Sequence, residues 1–323
     1  MINNSVLYIG DFIKMNGPSM VDINLTKKLD DNMEHLKREQ INKNIDLHFF
    51  KKILKSESIH VSGVSIKGML GLILGRILFR KTFLTMHGAL KEEKNYRKIG
   101  FCRFIIERIE MFFSDKIIAV SKKHKELIEK KYLINYNKLC YINNGIDLEL
   151  SMKNYSKNKF YVFSVGGGRR EKNILNLCKA IELINNEKIV LFVAGEEGED
   201  SESIEKYDFV QNLGFISHVD VIKHMEKSNI FVQISEYEPF GLAPLEALMC
   251  KCNLILSNKI GMLSIFEKIP KYSVWDLKSI EDLKELIQIR LTQDNYHEFL
   301  KNLNFKSLSW DSVAKDYLRI WTN

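Results

Sequence analysis

The chain has 323 residues, of which 45% are apolar and 28% charged, with four prolines and five cysteines. The length suits two domains of about 150 residues each, and the composition is that of a folded globular protein without a long Pro-rich linker. The net charge of +7 is uneven: residues 1–150 hold 26 Lys and Arg against 17 Asp and Glu (+9), and the remainder holds 22 against 24 (−2).

The first residues, MINNSVLYIGDFIK, lack the basic start, apolar core and small-residue cleavage site of a targeting segment, so a cytoplasmic protein is expected. Ser5–Gly10 reads as a buried strand. A loop with Asn16, Gly17, Pro18 and Ser19 follows, then an amphipathic helix to about Arg38. Ile45–Phe50 and Ser58–Val61 read as strands. Gly68–Phe79 is the longest apolar run, about 12 residues with Arg76 inside it, against roughly 20 for a membrane span. It reads as a buried helix whose Gly68, Gly71 and Gly75 allow close packing. Strand Thr82–Met86 leads to His87 and Gly88, and a long helical stretch covers Glu92–Phe113. Strand Lys116–Val120 opens onto Ser121, which can cap the next helix. Leu139–Ile142 ends in the turn signal Asn143-Asn144-Gly145. The polar stretch 151–159 is the candidate linker.

The pattern then starts afresh. Phe160–Val165 reads as a strand and Gly166–Arg170 as a loop. Asn173–Asn185 reads as a helix, followed by strands at Lys188–Ala194, Phe209–Leu213, Ile230–Gln233 and Asn253–Leu256. A loop and helix cover Glu238–Met249, and Trp310–Trp321 has helical periodicity. Alternating strands and helices signal parallel α/β sheets. The expected architecture is two Rossmann-like halves facing across a cleft: 1–152, 153–305, and a C-terminal helix in 306–323 that crosses back. The cysteines are odd in number and widely spaced, which suits a reducing compartment and buried or half-buried thiols.

Between Lys91 and Lys131 basic residues recur on predicted helices, among them Arg97, Arg103, Lys122, Lys123, Lys125 and Lys131. Two readings stand. Interleaved glutamates make it a salt-bridged surface, or it attracts an anionic membrane surface or a phosphate-bearing acceptor. No binding motif accompanies the charge, so nucleic acid is not expected as a partner.

The densest chemistry lies in Ser235-Glu-Tyr-Glu-Pro-Phe-Gly-Leu-Ala-Pro-Leu-Glu-Ala247. Gly241 lets the backbone approach a ligand, and the amides of Leu242 and Ala243 would open a helix toward an anion such as a diphosphate. Glu238 can hold sugar hydroxyls and Glu246 a ribose diol, since a carboxylate accepts two hydroxyl protons at once. On spacing alone, a capping Glu238 and a surface Glu246 fit equally well.

This segment resembles the E-x7-E signature of family 4 retaining glycosyltransferases, which have the GT-B fold. Thr85-Met-His-Gly88, Asp115–Ser121, Asn144-Gly-Ile-Asp147, Val165–Lys172, Leu213-Gly-Phe215 and Ser309-Trp310 are similar to further landmarks in the same order. The resemblance implies an N-terminal acceptor domain and a C-terminal nucleotide-sugar domain. It implies that Glu238, His87 and Lys172 act at the reacting centre. Gly17, Arg169, Arg170, Lys172, Phe215, Glu238, Phe240, Gly241, Leu242, Ala243 and Glu246 would hold the donor. His87 as a satisfied strand-end histidine is the alternative reading. No Asp-x-Asp pair sits in a suitable loop, so neither metal nor cofactor is expected, the nucleotide sugar being a substrate.

Three positions depart from the family pattern. Gly167 stands where arginine is usual, with Arg169 or Arg170 as substitutes. Lys251 stands where glycine is usual, and Ile260–Ser264 lacks one glycine, the proline and the glutamate of the corresponding loop. The expected function is a metal-independent hexosyltransferase (EC 2.4 class) using a UDP-sugar, or a GDP-sugar, on a glycan, lipid-linked or protein acceptor. Its expected setting is bacterial surface polysaccharide assembly, such as capsule or lipopolysaccharide, at the inner membrane face. A non-catalytic partner subunit and a nucleotide-sugar epimerase of the same fold are the alternatives.

Overall fold

A run of consecutive apolar residues suits a strand covered on both faces, and Val6–Gly10 forms such a strand, β1, buried along its whole length. The computed structural model of the protein describes residues 5–14, 17–149 and 156–322. The chain divides into two units, Met1–Gly145 with Lys306–Asn323, and Ile146–Phe305. Asn16 of the expected loop and residues 151–155 of the expected linker lie outside the described residues.

The first unit holds β1, β2 (Leu36–Gln40), β3 (Ser58–Ser62), β4 (Lys81–Met86), β5 (Lys116–Ala119) and β6 (Leu139–Tyr141). They form one parallel sheet in the order β2-β1-β3-β4-β5-β6. The second unit holds β7 (Asn158–Val165), β8 (Val190–Ala194), β9 (Val210–Gly214), β10 (Ser228–Gln233), β11 (Asn253–Ser257) and β12 (Val274–Trp275). Their parallel order is β12-β11-β10-β7-β8-β9. Each sheet reverses its strand order once, between β1 and β3 and between β7 and β10. In such sheets the crevice past the carboxyl ends at the reversal receives ligands.

Successive side chains of β1 point to opposite faces. Val6 and Tyr8 join a core with Leu25, Leu29, Tyr317 and Trp321, from the helices Gly17–Asp30 and Trp310–Thr322. Leu7 and Ile9 join a second core with Phe49, Leu72, Met111 and Ile128. His60 on β3 ties the Trp310–Thr322 helix to the sheet: Trp321 Nε1–H donates to its Nδ1 (3.1 Å), so its Nε2–H faces Thr85 Oγ1 at 3.0 Å. The helix Ile66–Ile77 carries the glycine stripe. A Cβ on Gly71 would come 2.6 Å from Ile9, and one on Gly75 2.8 Å from Ile59, so the stripe serves close helix-on-sheet packing. Among the described residues no helix is long and apolar enough to cross a membrane. In the second unit Leu177, Ile181, Leu191, Ile230, Val232, Ile255 and Ile287 build the core.

Four local expectations need correction. The first helix ends at Asp30, and Leu36–Gln40 is a strand; as the edge strand of its sheet, β2 tolerates the polar sequence LKREQ. Ile45–Phe50 is not a strand. Asp46 accepts from the Phe49 amide at 2.8 Å and starts the helix Leu47–Leu54, which buries Phe49 and Ile53. The stretch Glu92–Phe113 holds two helices, Leu90–Glu93 and Phe101–Phe113, with Gly100 capping the second. Cys102 is exposed rather than buried or half-buried.

Candidate functional site

The reversal in the second sheet gathers two loops, residues 166–173 after β7 and 234–241 after β10. The Glu236 amide donates to Glu171 O (2.8 Å), and the Asn173 side chain donates to Ile234 O (3.1 Å), so one backbone bond and one side-chain bond join the loops. Within this frame Lys172 Nζ lies 2.9 Å from Glu238 Oε2, and Gln233 Nε2 donates to the same oxygen at 2.8 Å. Both ion-pair side chains are largely shielded, at 12% and 20% exposure. Gln233 was not anticipated from sequence; it ends a strand and carries no motif.

Glycines shape both loops. Gly241, with φ +101°, precedes the helix Leu242–Met249, and a Cβ there would meet Ile260 at 2.9 Å. The amides of Leu242 and Ala243 therefore open the helix without intrahelical partners, as an anion requires. The segment of departures, Ile260–Ser264, still braces this loop: the Gly261 amide donates to Glu238 O (2.9 Å) and the Met262 amide to Phe240 O (2.6 Å). Phe240 itself is buried. Gly167 has φ +60°, and a Cβ there would lie 1.9 Å from Glu196 O. The loop after β7 presses backbone to backbone on the loop after β8, which leaves no room for the arginine usual in the family.

Arg169 is exposed and turns back, with its Nε donating to Gly166 O at 3.2 Å and a guanidinium nitrogen 3.8 Å from Glu171. Arg170 is exposed in the short 3-10 turn Arg170–Lys172. Glu246 lies in the second turn of its helix, with Oε1 2.8 Å from His218 Nε2. That hydrogen bond, outweighing partial burial, raises the histidine's pKa above its ordinary value. His218 opens the helix His218–Lys227 behind the Ser217 cap. Nothing in the sequence pattern marked it. Phe215, just past β9, is exposed.

In the first unit, the reversal between β1 and β3 holds a buried polar cluster. Asp22 receives the Tyr8 hydroxyl (2.8 Å), the Asp11 amide (2.9 Å) and the Ser62 hydroxyl (2.6 Å). Burial, outweighing those bonds, raises its carboxyl to about 7. Ser62 Oγ also lies 2.7 Å from Nε2 of His87, at the end of β4. Burial lowers that imidazole to about 4. A cavity of about 400 Å³ borders His87, Asp22, Ser62, Lys14, Arg97 and Arg103. Gly17 is the exposed first residue of its helix, with open space where a Cβ would stand.

The basic stretch is partly self-neutralised: Lys125 pairs with Glu129, Lys131 with Glu92 and Arg97 with Glu93. Among the described residues no group of three His, Cys, Asp or Glu is placed to hold a metal ion.

A parallel sheet in each unit, with a glycine-opened helix and paired charges at the second sheet's reversal, defines a two-domain α/β architecture. The family model "Glycosyltransferase Family 4" matches residues 44–150 and "Glycosyl transferases group 1" matches residues 149–304. Together they span 44–304, and the chain belongs to the family 4 glycosyltransferases. The chain is 27% identical over 226 residues to the capsular polysaccharide biosynthesis glycosyltransferase CapM of Staphylococcus aureus, covering 62% of this chain and 59% of that one. It is 22% identical over 290 residues to the UDP-Gal:alpha-D-GlcNAc-diphosphoundecaprenol alpha-1,3-galactosyltransferase of Escherichia coli, covering 82% and 74%. The chain spans about three fifths of the length of the first curated relatives it matches, 62% of one and 59% of the other. Among solved structures, HepE of Anabaena in complex with UDP and glucose superposes with a TM-score of 0.75 over 99% of this chain and 100% of that one, at 13% identity. The fold is GT-B.

Proposed function

We propose that the chain transfers a sugar from a UDP-sugar, with retention of anomeric configuration, to a lipid-linked glycan acceptor during assembly of a bacterial surface polysaccharide. The observation that carries this reading is the Lys172–Glu238 pair, beside the open amides of Leu242 and Ala243 at the reversal of the second sheet. The ammonium has three protons and gives one to Glu238, leaving two for the diphosphate. As the bond to the sugar breaks, negative charge grows on the leaving diphosphate, and Lys172, Arg169 or Arg170, and the helix amides offset it. Glu238 holds donor-sugar hydroxyls, Glu246 the ribose, and Phe215, Phe240 and Gly241 shape the donor pocket. His87 and Gly17 serve from the first unit. Neither a metal nor a resident cofactor takes part.

The donor assignment is supported by the UDP named with HepE and the UDP-Gal in the name of the Escherichia coli relative. The diphosphoundecaprenol in that name, and the capsular polysaccharide in the other, support the acceptor class. Such an acceptor brings the enzyme to the cytoplasmic face of a membrane, and the +9 balance of residues 1–150 suits an anionic surface.

The test is incubation of the purified chain with a panel of nucleotide sugars, with and without a polyprenyl-diphosphate sugar. Acceptor-dependent UDP release with an α-linked product from an α-linked donor is expected. No turnover of any donor would favour the non-catalytic subunit, and turnover to a changed sugar without acceptor the epimerase.

A further inference from the structure

The Ser62 hydroxyl has one proton and two claimants. Asp22 Oδ1 lies 2.6 Å from its oxygen and His87 Nε2 lies 2.7 Å away. Asp22 already receives Tyr8 O–H on Oδ1 and the Asp11 amide on Oδ2. When Asp22 is ionised, the carboxylate takes the Ser62 proton. The serine oxygen is then left as an acceptor, and a neutral His87 must offer Nε2–H. Nδ1 carries the lone pair and makes no hydrogen bond among the described residues. When Asp22 is protonated, its amide-facing oxygen is engaged, so the acid proton points to Ser62. The serine proton then turns to Nε2, and Nδ1 carries the hydrogen. The change takes up one proton: it enters at Nδ1, Nε2–H passes to Ser62, and the serine's own proton passes to Asp22.

We propose that Asp22 is a positioning residue for His87, dictating through the Ser62 hydroxyl which ring nitrogen is protonated, and so whether the imidazole accepts or donates toward a ligand in the adjoining cavity. The consequence for transfer rests on the reading that His87 faces the donor sugar: Nδ1 accepts a sugar hydroxyl in one state and donates to it in the other.

Of the groups in or flanking the Tyr8–Asp22–Ser62–His87 chain, Asp22 is the one that burial brings near neutrality. Tyr8 on β1 and Tyr317 on the Trp310–Thr322 helix are raised by burial and stay protonated. His60 on β3 and His124 on the helix Lys122–Tyr132 are lowered by burial to about 3 and stay neutral. Asp11 is a partly exposed carboxylate and stays ionised. The other charged groups bordering the cavity are Lys14, Arg97, Arg103, Glu93 and Glu107; Glu107 is raised by burial and is bound to Tyr132 O–H and the Leu90 amide.

The experiment is nitrogen-detected NMR of the histidine-labelled chain from pH 5.5 to 9, which distinguishes the bare from the protonated ring nitrogen. For His87 the bare nitrogen should be Nδ1 at high pH and Nε2 at low pH, with a midpoint near 7 as burial of Asp22 dictates. A single tautomer across the range overturns the proposal, whether or not any variant folds. Asp22→Asn should abolish the exchange. Ser62→Ala should uncouple it and lower kcat by about three- to tenfold with KM for acceptor unchanged, and Ser62→Thr should restore both. An exchange that persists in Asp22→Asn also overturns it. The NMR reading needs no turnover, so failure of the transferase reading would leave it standing, and the two failures are distinguishable.

Discussion

Lys172 and Glu238 approach to 2.9 Å although 66 residues separate them, because β7 and β10 are hydrogen-bonded neighbours and each side chain sits in the loop its strand feeds. Lys172→Ala should lower kcat by about 10- to 100-fold, with a smaller loss of donor affinity, since leaving-group charge peaks in the transition state. A weaker donor Kd by calorimetry with kcat unchanged would reduce Lys172 to ground-state binding.

Glu246→Ala should weaken free UDP by about 10- to 100-fold, the worth of a charge-assisted hydrogen bond. Unchanged affinity would remove Glu246 from the nucleotide site. Its partner His218 adds a pH dependence. The folded pKa is raised, so the pair's stabilisation is fully present below the unfolded value of about 6.5 and fades as pH rises through the folded one. The stability lost in His218→Ala should therefore be larger at pH 5.5 than at pH 9 in denaturant titrations; a flat difference would show that the pair contributes nothing.

Two departures from the family pattern carry opposite expectations for stability. At Gly167 the backbone excludes a side chain, so Gly167→Arg should destabilise by about 2 kcal/mol or more and should not raise activity. Lys251 occupies the left-handed position after the helix Leu242–Met249, with φ +62°, and the Cys252 amide closes the turn on Ala247 O at 2.9 Å. Lys251→Gly should gain about 0.5–1 kcal/mol, since relief of the left-handed strain exceeds the added freedom of the unfolded chain. Thermal unfolding of the two variants decides both.

Transfer should survive exhaustive EDTA, because the basic loop and helix amides serve where a divalent cation otherwise would. Loss of activity in chelator, restored by Mn²⁺, would overturn metal independence.

What the sequence disclosed follows from how locally each feature is encoded. Val6–Ile9 and Leu254–Leu256 are buried apolar runs with one sensible reading, and Ser121 caps its helix through the His124 amide as its position suggests. Leu36–Gln40 was misjudged because an edge strand need not be apolar. The helix Leu47–Leu54 reads as a strand from Ile45, Leu47 and the aromatic pair at 49–50, because its Asp46 cap shows itself only in the fold. At the site, the carboxylates were legible as a motif, whereas Gln233, His218 and Asp22 enter only through strand neighbours or across elements. Charge and spacing along the chain carry no record of such partners.

The first unit is built from two separated stretches of chain, and Tyr317 and Trp321 cover Tyr8 and His60. On the ribosome, residues 146–305 are therefore complete before the older domain has received its closing helix. The nascent first sheet keeps one apolar face open while the second unit is already free to fold. A message broken off before codon 310 would yield a chain with a sound second unit and a first one exposing Tyr8, Leu25 and Phe83, a form suited to capture by chaperones and proteases rather than to slow loss of activity.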